Sequence, residues 1–390
     1  MKRIKDLFTE IVSRENLEYA WIEVEKVKRN DKNIGNFAQY HPLKLMDLEY
    51  ELKEGIWRPK PKQPFIKREK KTRIITPIDE RGKIVGQAIY RKVANILKNK
   101  YIYETHACVK DHGQHMAALR VQKEFFQIPE YEDFYPFKGD IHHYFQSVNH
   151  PKLEFIIEEY FVKDKLLLTL LFIFIEAYSE GIPIGWLTSE IFANMYLYLF
   201  DIYITENFPD LFYSRFMDDF IINGTNKKRV EYASKCAIDF IRETLLLEIN
   251  PKTKIYHNQV NYCGYNIYKQ YMIPRSKVIK SANRRLKKYI EYGEFDKFKN
   301  SLNSFFGYCA IAESRSTVEN IVYKLLKNIL SNEIPTEDPH EFFIKAMEFM
   351  GIKNQFEMNL GARKKFTSLP VSAKKIRNIK LYNSKGELVS

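Results

Sequence analysis

Two aspartates stand side by side in an otherwise largely apolar run, Ser214-Arg215-Phe216-Met217-Asp218-Asp219-Phe220-Ile221-Ile222. No other stretch of the chain restricts its fold so tightly. The flanking residues read as a strand pair with the aspartates at a tight turn between them. Adjacent carboxylates repel each other, and a fold seeking only stability would avoid them there. A divalent cation removes the conflict. With a third carboxylate from a nearby strand, the set becomes an oxygen-rich cage suited to Mg²⁺. Asp140 offers that third group, in Lys138-Gly139-Asp140-Ile141-His142-His143-Tyr144-Phe145, at another strand-to-loop exit. The competing explanation is a plain turn signal, because aspartate favours turns.

At 390 residues the chain is long enough to bury a full core in two or three subdomains. Its 45% apolar content, with 15 Gly and 15 Pro, marks it as globular. The 62 Lys and Arg outweigh 49 Asp and Glu, a net charge of +13. Such an excess points to a polyanion, most simply nucleic acid, whose phosphates release counterions when a cation replaces them. The 26 Tyr and 28 Phe supply base-stacking surface as well as core. Cys108, Cys236, Cys263 and Cys309 form no Cys-x-x-Cys pair, so free buried thiols in a reducing cytoplasm are expected. His106, Cys108, His112 and His115 match no standard zinc spacing. The start, Met1-Lys2-Arg3-Ile4-Lys5, lacks a signal-peptide apolar core. The most apolar run, Leu166 to Ile175, falls short of the roughly 20 residues a membrane span needs. A cytoplasmic protein with no membrane partner is expected.

Helical periodicity covers residues 4–30, 43–52 and 79–98, then about 151–178, 188–206 and 228–246. Prolines keep Trp57 to Pro64 extended. Phe65-Ile66-Lys67 and Thr72-Arg73-Ile74-Ile75 read as a hairpin turning at Glu69-Lys70-Lys71. Strands are expected at 135–140, 212–222, 254–256 and 262–267, and mostly basic helices from Ser276 onward. Thr188 or Ser189 would cap the helix after Gly185. This order argues an α+β architecture with a small antiparallel sheet under helices.

Extending a nucleic-acid strand needs in-line attack of a 3′-hydroxyl on an α-phosphate, with two metal ions about 3.5–4 Å apart. Carboxylates must then converge from different strands, and Asp140, Asp218 and Asp219 can do so. Several further motifs resemble one family, the reverse transcriptases. Phe216-Met217-Asp218-Asp219 is similar to their Tyr-x-Asp-Asp box. Gly181-Ile182-Pro183-Ile184-Gly185 with Ser189 and Asn194-Met195-Tyr196-Leu197 is similar to their Gly-x-Pro-x-Gly…Ser…Asn-x-Tyr-Leu motif. Asp140 to Phe145 resembles the first catalytic aspartate with its aromatic five residues on. Asn250-Pro251-Lys252-Thr253 and Tyr262-Cys263-Gly264-Tyr265 resemble the two motifs that follow the Asp-Asp box, and the order agrees.

The resemblance, from about residue 5 to 325, implies a right-hand polymerase. Fingers would span 1–134, and a palm 135–270 with a helical insertion at about 151–180. A thumb would follow at 271–332, then a basic extension at 333–390. It implies an RNA-directed DNA polymerase using two Mg²⁺, with Mn²⁺ as a substitute, held by Asp140, Ile141, Asp218 and Asp219. Lys252 would protonate the departing pyrophosphate. Arg73 and Lys71 would grip the triphosphate, Arg73 through its forked donors. Phe145 resembles a steric gate that leaves no room for a 2′-hydroxyl, and Ile184 and Gly185 would line the nucleotide. Arg284, Arg285, Lys287 and Lys288 fall where a thumb helix would track a duplex backbone.

Ile184 stands where many reverse transcriptases carry glutamine. Together with Thr105 to His115, it resembles the enzymes of diversity-generating retroelements. Trp186 and Glu190 depart from that pattern, as does the tail containing Ala362-Arg363-Lys364-Lys365 and Ala373-Lys374-Lys375-Ile376-Arg377. These departures favour the related bacterial enzymes of antiphage defence, with retroelement diversification as the alternative. A third alternative, of another class, is a catalytically silent RNA-binding scaffold. The expected partners are a structured non-coding RNA as template or scaffold, deoxynucleotides, the DNA product and an accessory protein.

Overall fold

The computed structural model describes residues 3–28, 32–68, 72–352, 381–382 and 388–389. Lys71 and the two basic segments of the tail lie outside the described residues. The chain opens with helices α1 (Phe8–Ile11), α2 (Arg14–Lys28), α3 (Lys32–Ala38) and α4 (His41–Lys53). The proline-rich stretch leads into a hairpin, β1 (Phe65–Arg68) and β2 (Thr72–Ile75), which pairs Lys67 with Arg73. Helix α5 (Glu80–Lys100), capped by the Asp79 carboxylate on the N–H of Gly82, packs along α2. Helix α6 (Gln114–Gln127) follows Gly113.

Strand β3 (Phe137–Asp140) and helices α7 (Tyr144–Ser147) and α8 (His150–Ile156) come next, then a π-helical turn (Ile157–Phe161) and α9 (Lys165–Glu176). Helices α10 (Leu187–Tyr196) and α11 (Tyr198–Asn207) precede β4 (Phe212–Phe216), β5 (Asp219–Asn223) and α12 (Lys227–Glu243). With β6 (Lys254–Ile255) these strands form an antiparallel sheet in the order β4-β5-β3-β6. A second sheet, β7 (Gln259–Tyr262), β8 (Tyr265–Tyr268) and β9 (Met272–Pro274), leads to helices α13 (Ser276–Glu291), α14 (Phe295–Cys309), α15 (Arg315–Leu326) and α16 (Pro339–Phe349). A two-residue pairing, β10 (Leu381–Tyr382) with β11 (Leu388–Val389), lies near the end.

Alternation along β3 and β5 decides which residues face the main core. Phe137, Phe220 and Ile222 point to one side and join the apolar cluster built with Phe200, Phe240 and Ile241. Gly139 lies on the same side, where a Cβ would come 2.2 Å from the Phe220 ring. Lys138, Asp140 and Asp219 lie on the other side, half-buried. Helices α13 to α16 have their own core, around Leu286, Leu302, Phe306, Val322 and Phe342. A third cluster joins α6 to the second sheet through Val121, Phe125, Tyr262 and Tyr265.

Several sequence expectations change. Residues 4–30 are not one helix: Ile4 bridges Val162, and the chain bends between Ile11 and Arg14. The helix expected at 151–178 breaks at Asp164, whose Oδ2 accepts from the N–H groups of Leu7 and Phe8 at 2.8 and 2.9 Å. Its Oδ1 accepts from Leu166 and Leu167 at 3.1 and 3.2 Å, so one carboxylate caps two helices. Residues 262–267 are not one strand, because Cys263 and Gly264 turn between β7 and β8 with φ of 47° and 87°. Helix α10 starts at Leu187 with Trp186 at its cap; Thr188 and Ser189 sit inside it, buried. Among the cysteines Cys309 is buried, Cys236 and Cys263 are intermediate and Cys108 is exposed.

Candidate active site

The antiparallel register places Asp140 directly opposite Asp219. Directly opposed residues project to the same sheet face with Cβ atoms about 4.5–5.5 Å apart. Asp218 is the second residue of the two-residue loop between Phe216 and Asp219, and its carbonyl accepts the Ile141 N–H at 3.3 Å. The first loop residue, Met217, has φ of 57°. The end of β3 and the β4–β5 turn are thus joined edge to edge, and three acidic residues share one corner of the sheet.

The segment after Leu247 fastens this corner. Asn250 donates its backbone N–H to the Asp140 carbonyl at 2.7 Å and its side-chain amide to Asp140 Oδ2 at 2.8 Å. Its Oδ1 accepts from the Lys252 N–H at 3.1 Å. Lys252 lies exposed in the same turn. Lys138, two residues before Asp140, places its ammonium 3.2 Å from Asp219 Oδ1. Cys263 comes close enough for Asp219 to act on it: burial first, then that carboxylate, pushes its thiol well above the usual range.

Oxygen donors of this kind suit a hard divalent cation. Among the described residues, no three His, Cys, Asp or Glu side chains stand together as a preformed metal site. Mg²⁺ usually takes one or two carboxylates and completes its octahedron with water and substrate phosphates.

Beside this corner a loop is docked onto Phe145. The Ile182 N–H donates to the Phe145 carbonyl at 2.7 Å. Gly181 (φ 64°) passes so close that a Cβ would meet that carbonyl oxygen at 2.4 Å. Phe145 itself is half-buried in α7. Ile184 and Gly185 follow; Ile184 accepts the Thr76 N–H at 3.2 Å, and the Trp186 indole donates to the Thr76 carbonyl at 2.8 Å. Thr76 is the residue after β2, so the hairpin carrying Arg73 is anchored to this loop. Arg73 is exposed on that hairpin.

On the far side, Tyr265 stacks on Tyr308 of α14 at 4.6 Å, and His115 meets both rings edge-on. Helix α13 turns Arg284, Arg285, Lys287 and Lys288 to solvent while Ala282 and Leu286 face the helical core. Arg285 bonds Ser301 Oγ at 2.7 Å, and Lys287 lies 3.8 Å from Glu291. His106 and His112 approach to 5.3 Å between ring centroids, away from the acidic corner's own contacts.

Sequence reading passed over Lys138, although its i,i+2 spacing from Asp140 within a strand puts both on one face. It quoted Asn250 only as part of a motif. Nothing local in the sequence signalled that Arg215 pairs with Asp201 and donates to Asn194 Oδ1 at 3.1 Å.

A sheet corner bearing acidic residues, a glycine-rich loop over an aromatic and a basic helical unit define a polymerase-type nucleotidyltransferase of α+β fold. Residues 59–267 match the model of the reverse transcriptase (RNA-dependent DNA polymerase) family. That is more than half of the chain, and the protein belongs to this family: it is an RNA-directed DNA polymerase. No curated protein matches the chain. Among solved structures it is similar to an apo telomerase from Candida tropicalis truncated from its C-terminal domain. That pair has 12% identity and a TM-score of 0.42, covering 59% of this chain and 59% of that one. It is also similar to a telomerase from Candida albicans in complex with a fragment of telomeric RNA, at 11% identity and TM-score 0.42, covering 84% and 68%. A further apo telomerase from Candida tropicalis gives 10% identity and TM-score 0.44, covering 86% and 73%. Among the described residues no helix is long and apolar enough to cross a membrane.

Proposed function

We propose that this reverse transcriptase lengthens a DNA 3′-end with two Mg²⁺ held by Asp140 and Asp218, with Asp219 in support and Ile141 contributing its backbone carbonyl. The observation that carries the proposal is the register pairing Asp140 with Asp219 at the edge of a two-residue turn that contains Asp218. Bound there, the ions would activate the 3′-hydroxyl and stabilise the leaving oxygen, and Mn²⁺ would substitute.

The chain's own residues do the rest. Asn250 holds the Asp140 carboxylate in place. Phe145, fixed through its backbone to Ile182, closes the space a 2′-hydroxyl would need. Ile184 and Gly185 line the nucleotide, and Arg73, with Lys71, reaches its phosphates from the anchored hairpin. Lys252, on the turn bonded to Asp140, supplies a proton to the pyrophosphate. Arg284, Arg285, Lys287 and Lys288 follow the duplex backbone. In this reading residues 1–134 are fingers, 135–270 palm and 271–332 thumb, with α16 continuing the thumb's core into the 333–390 extension.

The template in this proposal is a structured non-coding RNA, and the setting is bacterial antiphage defence in the cytoplasm, with an accessory protein. Trp186 supports it: where the retroelement pattern has asparagine, this indole is bonded to Thr76. The apolar Ile184 at the nucleotide loop favours the second reading, error-prone copying in a diversity-generating retroelement, because it removes a hydrogen-bond contact to the base.

Primer extension tests the activity. Asp140→Ala and Asp218→Ala should each abolish synthesis, and deoxynucleotides should be used far better than ribonucleotides. Undiminished synthesis in either variant would defeat the metal assignment, and no extension by the natural chain would favour the scaffold. Sequencing RNA purified with the protein, and the DNA made from it, separates the two roles. Copies of a nearby gene altered at adenines indicate diversification; repetitive or non-genomic product indicates defence.

A further inference from the structure

We infer that Arg215 is a positioning residue: its buried guanidinium sets the backbone of the Met217–Asp218 turn relative to the helices that follow the nucleotide loop. The inference rests on the proposed role of Asp218 and Asp219.

Arg215 and Asp201 are both fully buried, and they meet through two parallel bonds, Nε to Oδ1 and Nη2 to Oδ2, each 2.6 Å. The carboxylate is completed by the hydroxyls of Tyr213 at 2.6 Å and Thr105 at 2.8 Å. Nη1 reaches elsewhere, donating to Asn194 Oδ1 at 3.1 Å and to the Met217 carbonyl at 3.0 Å. Asn194 in turn donates to the Ala107 carbonyl at 2.7 Å. One side chain therefore ties the turn to α10, which begins two residues after Gly185, and to α11, which carries Asp201.

Stability alone is a poor reason for this arrangement. A buried ion pair loses most of its attraction to desolvation, and well-packed apolar residues often replace it at no loss. What apolar residues cannot do is donate to Met217. That bond matters because the loop has positive φ at its first residue but not its second, a place normally filled by glycine. Methionine disfavours that conformation, and the guanidinium bond to its carbonyl selects it. Arg215 thus holds a turn that its own sequence does not favour, directly before the two aspartates.

The test uses the full chain in primer extension, with folding followed by thermal melting. Arg215→Lys keeps the charge but not the fork, and should lower kcat at least 30-fold while the KM for deoxynucleotide changes less than threefold. Adding Met217→Gly, which makes the turn easy without the arginine, should restore at least tenfold of that loss. The double variant Asp201→Leu with Arg215→Met should melt near the natural chain yet show the same kcat defect and need more Mg²⁺ for half-maximal rate. A kcat within threefold of the natural chain in either folded variant, or no recovery with Met217→Gly, overturns the inference. If neither variant folds, Arg215 serves folding and the inference is likewise overturned. Asp140→Ala runs alongside: activity in that variant would defeat the carboxylate site itself, separately from the role of Arg215.

Discussion

Asn250 clasps Asp140 twice, by its backbone N–H on the carbonyl at 2.7 Å and by its side-chain amide on Oδ2 at 2.8 Å. The two bonds leave Oδ1 as the oxygen free of Asn250 and fix the plane of the carboxyl group. In the proposed site Asp140 holds a metal ion, and removing an outer partner of such a carboxylate typically costs about 10–100-fold in activity or metal affinity. Asn250→Ala should therefore lower kcat by about that factor, with little change in the KM for deoxynucleotide. Steady-state primer extension at saturating RNA and primer checks it. A change confined to KM would instead place Asn250 among the nucleotide contacts.

At the proposed metal site the Lys138 ammonium, 3.2 Å from Asp219 Oδ1, would oppose cation binding, because it already supplies positive charge there. Replacing Lys138 by methionine keeps the stem and removes that charge. The Mg²⁺ concentration for half-maximal synthesis should fall several-fold at low salt and the difference should shrink as ionic strength rises. An unchanged Mg²⁺ requirement would show that Lys138 does not act on the ions.

Gly139 holds the two carboxylate strands close over Phe220. A methyl group at 139 would come 2.2 Å from the Phe220 ring, which is itself fully buried. Overpacking of this kind costs about 1–3 kcal/mol. Gly139→Ala should lower the melting temperature accordingly, and Phe220→Leu in the same chain should recover part of the loss by clearing the space. Two losses that simply add would mean the clash is relieved elsewhere.

The acidic corner was legible because its evidence is local: an Asp-Asp pair at a turn and a third aspartate at a strand end need only the two-residue period of a strand. The hairpin with Arg73 and the helix over 79–98 were legible for the same reason, from prolines, a charged turn between two apolar runs and helical periodicity; the structure makes Asp79 the cap rather than the first helical residue. What could not be read depends on partners far apart in sequence. Asp164 looks like one residue of a long helix until Leu7 and Phe8 arrive, more than 150 positions away, and offer their free N–H groups. Tyr262 to Ile267 is aromatic and apolar on both sides of Gly264, and the lone glycine, the one local sign of a turn there, did not by itself divide the run; in the structure Cys263 and Gly264 make the turn and Tyr308 lies over Gly264. Arg215 entered only as part of the Asp-Asp run, and Asp201, its partner, sits between Phe200 and Ile202 on α11 with nothing beside it to mark the pairing.

Asp164 gives a stability prediction with a definite pH window. Burial raises the carboxyl's pKa, but its four backbone N–H bonds outweigh that, and the group is held below its ordinary value of 3.8. A folded-state value below the unfolded one means that the stabilisation is complete above about pH 4 and is lost as pH falls through the folded value. Asp164→Asn keeps one accepting oxygen and so can cap α1 or α9, not both. Losing one helix cap costs about 0.5–2 kcal/mol. The variant should melt lower than the natural chain at pH 7, and the gap should close on acidification below the carboxylate range. A gap of constant size down to low pH would show that shape, rather than the charge on Asp164, joins the two helices.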